Sequence, residues 1–167
     1  MTAPRVPSPA AGAASESRPA LRDISACFEG IVPAEIATAS ADGVPNVTHL
    51  SRVHMVDDER VALSNQFFSK TMQNLAVNPR ACVVVIDPLT YDSYRLLLHY
   101  ERTERRGPLF ERLRRDIDAI AALTGMQDVF KLRSADVYRV LELDLIPAAV
   151  HEAAPDAAPG PGGTSVP

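Results

Sequence analysis

VALSNQFFSKTMQNLAVNPRACVVVI, residues 61–86, is the segment that decides the fold. A short apolar run, VALS, leads into a polar loop, and residues 70–77 are long enough for two helical turns. Asn78-Pro79 ends the helix, because the residue before a proline disfavours the helical conformation. The ACVVVI run that follows is apolar on both faces, which is typical of a strand covered on both sides. The segment therefore predicts a strand, a short helix and a second, buried strand.

Ser69, Lys70 and Thr71 stand at the start of this predicted helix, with Asn74 about one turn further on. If the helix begins near Thr71, its unpaired backbone N–H groups and its positive dipole end face these side chains. Such a corner suits a phosphate group. The alternative is that Ser69 only caps the helix while Lys70 points into solvent. The residues alone leave both interpretations open.

The remaining elements indicate a small antiparallel barrel. The step Ala41-Asp42-Gly43 lies between two β-like runs and is a hairpin signal, and turns this short join antiparallel strands. Residues 21–30 have helical apolar spacing that ends on a glycine, and residues 108–123 form the clearest amphipathic helix. With further strands at 94–104 and 135–146, we predict a mainly β fold of six antiparallel strands with flanking helices.

The composition fits one folded domain between two tails. The 167 residues contain 46% apolar and 23% charged side chains, as expected for a globular domain. The first and last twenty residues are rich in Pro, Ala, Gly and Ser, so they cannot bury enough surface to offset their ordering entropy. We predict disordered tails at 1–20 and 148–167 around a domain at 21–147.

Charge and hydropathy limit the classes of partner that the protein can bind. The net charge is −4 and no basic stripe is present, which argues against a nucleic-acid partner. No segment approaches the ~20 apolar residues of a membrane span, and three early prolines interrupt any signal-peptide core. We therefore expect a cytoplasmic protein that binds no membrane. Cys27 and Cys82 stand alone in the sequence, so both are predicted to be free thiols.

The run PNVTHLSRV, residues 45–53, brings a histidine close to the predicted hairpin. Side chains alternate along a strand, so His49 and the nearby His54 point to opposite faces unless a bulge intervenes. We therefore predict no two-histidine metal site. No phosphate-binding loop, dinucleotide fingerprint or nucleophile elbow occurs either. No catalytic residue is assigned, and His49 and Tyr94 are the candidates for proton transfer.

Two stretches resemble a known family: VPAEIATASADGVPNVTHLS, residues 32–51, and VALSNQFFSKTMQNLAVNPRACVVV, residues 61–85. Both are similar to the pyridoxamine 5'-phosphate oxidase-like FMN-binding split barrels, and the likeness extends from about Val32 to Ile146. Its most specific part is the Ser-Lys loop, the short helix and the Asn-Pro-Arg sequence before an apolar strand. The resemblance implies a six-stranded antiparallel split barrel, FMN as the cofactor, and a homodimer whose partner subunit completes each site.

The resemblance also implies roles for individual residues. Lys70, with Ser69 and Thr71 beside it, matches the residues that hold the FMN phosphate in this family. The strand from Thr48 to Val53 matches one that lies beside the isoalloxazine ring, and two residues of the next strand match further flavin contacts. The expected cofactor-binding set is Thr48, His49, Leu50, Ser51, Leu63, Ser64, Ser69, Lys70, Thr71 and Asn74.

The chain departs from the family's oxidases in two places. The oxidases carry an arginine where this chain has Thr48 and a second basic residue where it has Ser69, so two charge-assisted phosphate contacts are missing. The oxidases' C-terminal segment, with its Trp-rich and Arg-x-His substrate elements, has no counterpart here, since the chain contains no Trp and ends in a stretch rich in Pro, Gly and Ala. Oxidation of vitamin B6 is therefore not inferred.

The expected function is a flavin-dependent oxidoreductase with a small-molecule substrate or electron donor that the sequence does not identify. One alternative is a non-catalytic flavin-binding or sensor module. Another is a barrel that binds haem or a deazaflavin instead of FMN, with His49 or His54 as the haem ligand. The sequence also leaves open whether the helix at 108–123 covers the pocket or only the end of the barrel.

Overall fold

The computed structural model describes residues 19–147. The tails predicted at 1–20 and 148–167 lie outside these residues, apart from Pro19 and Ala20. The described chain begins with a 3-10 helix at Leu21–Phe28. The elements that follow are β1 (Ala34–Ala39), β2 (Pro45–Leu50), β3 (Val53–Met55), β4 (Arg60–Asn65), α1 (Ser69–Val77), β5 (Arg80–Ile86), β6 (Ser93–Glu104), α2 (Pro108–Thr124) and β7 (Ser134–Ile146).

The strands form one antiparallel sheet with the order β2-β1-β5-β6-β7-β4-β3. Its two edge strands, β2 and β3, are consecutive in the chain and are joined only by Ser51 and Arg52. Because so short a link reaches only about 10 Å, the sheet must curl until its edges approach each other. The result is a mainly β barrel with flanking helices, as the sequence predicts.

The predicted number of six strands is wrong, because the described sheet has seven. The sequence predicts a single strand after the hairpin turn, whereas the structure interrupts it at Ser51 and Arg52. β2 then pairs with β1 and β3 pairs with β4, so the two pieces lie at opposite edges of the sheet. Both pieces keep a β-like composition, and a local pattern therefore does not reveal the break.

The barrel interior is filled by aliphatic side chains, including the fully buried Ile36, Val83 and Leu96. The N-terminal 3-10 helix buries its apolar face, with Ile24 at its centre, in the same cluster. It ends before Gly30, whose φ of +77° suits a residue without a Cβ. The predicted short helix is therefore confirmed, although its hydrogen bonding is of the tighter 3-10 type.

α2 lies on the outside of the sheet. Leu113 and Ile117 are buried on its inner face, and Leu113 packs with β4 and β7 residues in a second apolar cluster. Pro108 begins the helix, and Gly125 ends it with a φ of +69°, as the sequence predicts. Within residues 19–147, no helix combines the length and the hydropathy that crossing a bilayer requires.

Candidate cofactor site

The start of α1 lies slightly earlier than the sequence indicates. The helix begins at Ser69 rather than near Thr71, and Phe68 is its N-cap residue without a side-chain capping bond. The Phe68 N–H instead donates to Asn65 Oδ1 at 3.3 Å. Ser69 is therefore not the helix cap. The N–H groups of Lys70 and Thr71 fall in the first turn, where a helix provides no carbonyl partner.

Ser69 and Lys70 are both exposed at this helix start. Lys70 lies near the β1–β2 turn, since its charge contributes to the electrostatics of Asp42. The pKa of Asp42 is lowered mainly by a hydrogen bond from the Ser40 hydroxyl and, more weakly, by the positive charge of Lys70. The ammonium group is thus accessible to a ligand on the outside of the barrel.

Thr71 and Asn74, by contrast, are buried and anchor the helix to the sheet. Asn46 Nδ2 on β2 donates to Thr71 Oγ1 at 3.2 Å. Asn74 Nδ2 donates to Thr38 Oγ1 on β1 at 3.1 Å. Thr38 and Asn46 face each other across β1 and β2, so the two bonds fix one side of α1 to that strand pair. Both hydroxyl and amide side chains therefore already have partners within the chain.

β2 carries three of the predicted site residues, Thr48, His49 and Leu50. Its burial alternates, with Asn46, Thr48 and Leu50 turned towards the barrel and His49 turned outwards. Thr48 lies on the strand face between Asn46, which contacts α1, and the buried Leu50. The strand therefore connects the helix start to the barrel wall beyond it.

A cavity of about 240 Å³ opens beside this part of β2. Leu50, Ser51 and Ser64 of the predicted set contribute to its wall, together with His49. Leu63 does not, because its side chain is fully buried in the barrel core. The whole wall consists of Pro33, His49, Leu50, Ser51, Ser64, Gln66, Phe67, Phe68 and Phe130.

Ser51, Ser64 and Gln66 form the polar side of the cavity and contact one another through their side chains. Gln66 Nε2 donates to Ser51 Oγ at 3.2 Å, and the hydroxyls of Ser51 and Ser64 lie 3.4 Å apart. Gln66 Oε1 is buried and has no hydrogen-bond partner among the described residues. The break between β2 and β3 thus places a group of neutral polar side chains next to three phenylalanines.

Sequence reasoning misses Gln66 and Phe130 as parts of this wall. Gln66 lies inside the segment 61–86, in a polar loop whose composition does not distinguish its amide from the neighbouring polar side chains. Phe130 comes from the connection between α2 and β7, far from the strand and helix in sequence. Only the fold brings it to the cavity, so the loop after α2 borders the pocket, whereas α2 itself contributes no residue to the wall.

The two histidines lie apart because they belong to different strands, β2 and β3, rather than to opposite faces of one continuous strand. His49 is mostly exposed, and its Nδ1 lies 3.6 Å from Glu35 Oε1 on β1. His54 is buried on β3, with Nδ1 3.5 Å from Asp116 Oδ2 on α2. Within residues 19–147, no three His, Cys, Asp or Glu side chains converge as metal ligands. Tyr94 packs against the barrel core and is not part of the cavity wall.

Comparisons with known proteins agree with this architecture. The sequence profile of the pyridoxamine 5'-phosphate oxidase family matches residues 22–143. The uncharacterized protein MJ0282 of Methanocaldococcus jannaschii is 40% identical over 50 residues, which are 29% of this chain and 34% of that protein. This chain thus matches about a third of the length of that curated relative.

Two solved structures share the fold at low sequence identity. An FMN-binding protein from Syntrophomonas wolfei subsp. wolfei has a TM-score of 0.63 at 16% identity, covering 74% of this chain and 83% of that one. HutZ, the haem storage protein from Vibrio cholerae, has a TM-score of 0.50 at 17% identity, covering 74% of this chain and 92% of that one. With the profile match over most of its length, the chain belongs to the pyridoxamine 5'-phosphate oxidase family of split-barrel proteins.

Proposed function

We propose that the protein binds FMN and acts as a flavin-dependent oxidoreductase. The observation that carries this proposal is the continuity of the cavity wall with the start of α1. Phe67 and Phe68 line the cavity, and Ser69 and Lys70 follow them directly in the chain. An apolar cavity beside an exposed ammonium group suits a ligand that has an aromatic ring at one end and a phosphate at the other.

The residues present fit FMN in a specific way. Lys70 and the first-turn N–H groups of α1 would hold the phosphate, while Leu50 and the phenylalanines would contact the ring. Ser51, Ser64 and the β2 backbone would meet the polar edge of the ring. Bound FMN supplies the hydride and electron transfer, and these residues bind it, orient it and exclude water.

The phosphate end of the site has few charges. Thr48 and Ser69 offer hydroxyls where the family's oxidases carry basic residues, and the Thr71 and Asn74 side chains already bond within the chain. Lys70 is therefore the cation on which phosphate binding depends. We infer an FMN affinity below that of a site with three charge-assisted contacts.

The proposal includes a homodimer and a cytoplasmic location. The cavity volume of about 240 Å³ is below the ~300–1,000 Å³ of complete ligand pockets, which supports a second subunit completing the wall. The outer face of the sheet carries a cross-strand row of small and apolar residues, from Val47 through Ala37 and Cys82 to Leu97. Val47 is 61% exposed in the single chain, and a flat row of this kind suits the face of a second copy.

The visible spectrum of the protein as isolated tests the cofactor. We expect the visible absorption bands of an oxidised flavin, and we expect the released cofactor to have the mass of FMN. A colourless protein that does not quench the fluorescence of added FMN would contradict the proposal.

Reduction of the bound flavin by NADH or NADPH would support catalysis, whereas bound FMN that neither donor reduces would identify a sensor or carrier. A deazaflavin would be recognised by its mass.

A second candidate ligand is haem, which the fold shared with HutZ and the position of His49 favour. His49 borders the cavity, whereas His54 is buried against Asp116 on another side of the barrel. If haem binds, we expect a Soret band on titration that is lost in His49→Ala and kept in His54→Ala. A titration without a Soret shift would exclude this candidate.

A further inference from the structure

Asp136 is a buried carboxylate that the proposed function does not use directly. It lies on β7 with no exposed surface. Its Oδ2 accepts from Asn65 Nδ2 at 2.9 Å, and its Oδ1 accepts from Thr103 Oγ1 at 2.6 Å and from Ser134 Oγ at 3.0 Å. Within residues 19–147 it makes no ion pair, so neutral donors alone compensate its burial. Burying a carboxylate is costly, and no ion pair explains why this one is buried.

The bond from Asn65 leads directly to the start of α1. A carboxylate oxygen only accepts, so Asp136 requires the amide nitrogen of Asn65 to face it. The amide oxygen of Asn65 must then point the other way, where it accepts the Phe68 N–H at 3.3 Å. Phe68 is the N-cap residue of α1, and Lys70 follows two residues later. The orientation of one amide therefore links Asp136 to the helix start.

The second branch of the network reaches the other end of α1. Because the Thr103 hydroxyl donates to Asp136, the Tyr100 hydroxyl must be the donor in its 2.7 Å contact with Thr103. The backbone N–H of Tyr100 donates to the carbonyl of Pro79 at 2.8 Å, just beyond the end of α1. Both ends of the helix are thus tied to residues around one carboxylate.

We propose that Asp136 is a positioning residue, which through Asn65 fixes the first turn of α1 and so the placement of Lys70 at the phosphate. Its effect on FMN rests on the proposed function, whereas its effect on the helix start does not. The two are measured separately.

Asp136→Asn is the variant that breaks the link with the smallest change in volume. If the new amide keeps its oxygen towards Thr103 and Ser134, its nitrogen faces the Asn65 nitrogen, and two donors meet. If Asn65 turns its amide over to relieve this, its nitrogen then faces the Phe68 N–H. In either arrangement, one bond between β7 and the helix start is lost. Keeping that bond would require the new amide to donate to Thr103 and Ser134, so that both hydroxyls and that of Tyr100 reverse their direction.

Hydrogen exchange of the backbone amides is the first measurement, made by NMR on the full chain. In Asp136→Asn, the Phe68 amide is expected to exchange about three- to tenfold faster relative to amides of β5, the fold-change of one lost hydrogen bond. Asn65→Ala is expected to do the same. The double variant should then add little, because both changes remove the same connection.

The second measurement compares FMN with riboflavin, which has the same ring but no phosphate. If Asp136 positions Lys70, the variant weakens FMN binding about three- to tenfold and leaves riboflavin binding unchanged. General loosening of the barrel would weaken both ligands equally. Ser134→Ala is the matched control, because it removes a donor to Asp136 Oδ1 and leaves the bond from Asn65 to Oδ2 in place. It should preserve the FMN to riboflavin ratio and the Phe68 exchange rate.

Wild-type exchange at Phe68 in both Asp136→Asn and Asn65→Ala would overturn the proposal, whether or not FMN binds. Equal losses of FMN and riboflavin affinity would overturn it as well. If Asp136→Asn does not fold, Asn65→Ala decides by the same two measurements. Wild-type protein that binds neither ligand would contradict the proposed function alone, since the exchange experiment still tests the helix start.

Discussion

Lys70 is the residue on which the phosphate end of the site depends. It is exposed at the first turn of α1, and the other side chains of the proposed phosphate site, Thr48 and Ser69 among them, carry no charge. We expect Lys70→Ala to weaken FMN binding about tenfold or more, since a charge-assisted hydrogen bond contributes roughly 1.5–3 kcal/mol. Quenching of FMN fluorescence on titration measures the change.

The matched control for Lys70 is Arg115→Ala, which removes an exposed cation from α2 instead. It should leave the FMN affinity within about twofold of wild type, because screened charges at a distance contribute little. An unchanged affinity in Lys70→Ala would show that α1 does not hold the phosphate.

His54 makes the stability of the barrel depend on pH. Burial, followed by the positive charge of Arg52, lowers the pKa of His54 from 6.5 to about 4. Between these values the unfolded chain binds more protons than the folded one, so the free energy of unfolding falls as the pH drops from about 6.5 towards 4. The full effect is about 3 kcal/mol.

The measurement for His54 is urea unfolding at about pH 7 and about pH 4.5, for the wild type and for His54→Gln. The variant should lose less stability between the two pH values, because it has no imidazole to protonate at this position. Carboxylates elsewhere titrate in both proteins, so only the difference between them reports His54. Identical losses would mean that protonation of His54 does not oppose folding.

At the scale of the elements, α1 is attached to the sheet by polar bonds as well as apolar contacts. Asn74 is 1% exposed, and its bond to Thr38 is buried between α1 and β1. Asn74→Ala leaves the Thr38 hydroxyl without this donor, so we expect the free energy of unfolding to fall by about 1–3 kcal/mol. Urea unfolding measures this change in the free energy of unfolding.

The control is Gln73→Ala, which changes the exposed residue next to Asn74 and should alter the free energy of unfolding by less than about 0.5 kcal/mol. Equal effects of the two substitutions would refute the anchoring role of Asn74.

The elements of the segment 61–86 were accessible to sequence reasoning because their signals are local. Asn78-Pro79 ends α1, and the apolar run of β5 follows directly. The predicted bounds of α1 and of β5 are therefore within two residues of those observed. The break at Ser51 and Arg52 has no such signal. It depends on β2 and β3 finding partners at opposite edges of the sheet, which is a property of the closed barrel.

At the scale of the whole molecule, the outer face of the sheet is the surface proposed for a second copy. Val47 projects from this face beside Ala37, in the row that continues to Leu97. A charge buried there is costly, so we expect Val47→Glu to shift the protein from dimer to monomer in size-exclusion chromatography with light scattering. Leu89→Glu is the control at a turn where the side chain is already 83% exposed, and it should stay dimeric. A monomeric wild type, or a dimeric Val47→Glu, would contradict this assembly.

The sequence by itself determined the mainly β class and the presence of three flanking helices, one of which begins close to Lys70. Each depends on the spacing of neighbouring residues, which side-chain alternation, helical periodicity and proline geometry translate directly into structure. Only the tertiary structure decided that Thr71 and Asn74 are buried anchors, that Phe130 joins the cavity wall, and that Asp136 lies behind the helix start. These contacts join residues far apart in the chain, and curling of the sheet is what brings them together.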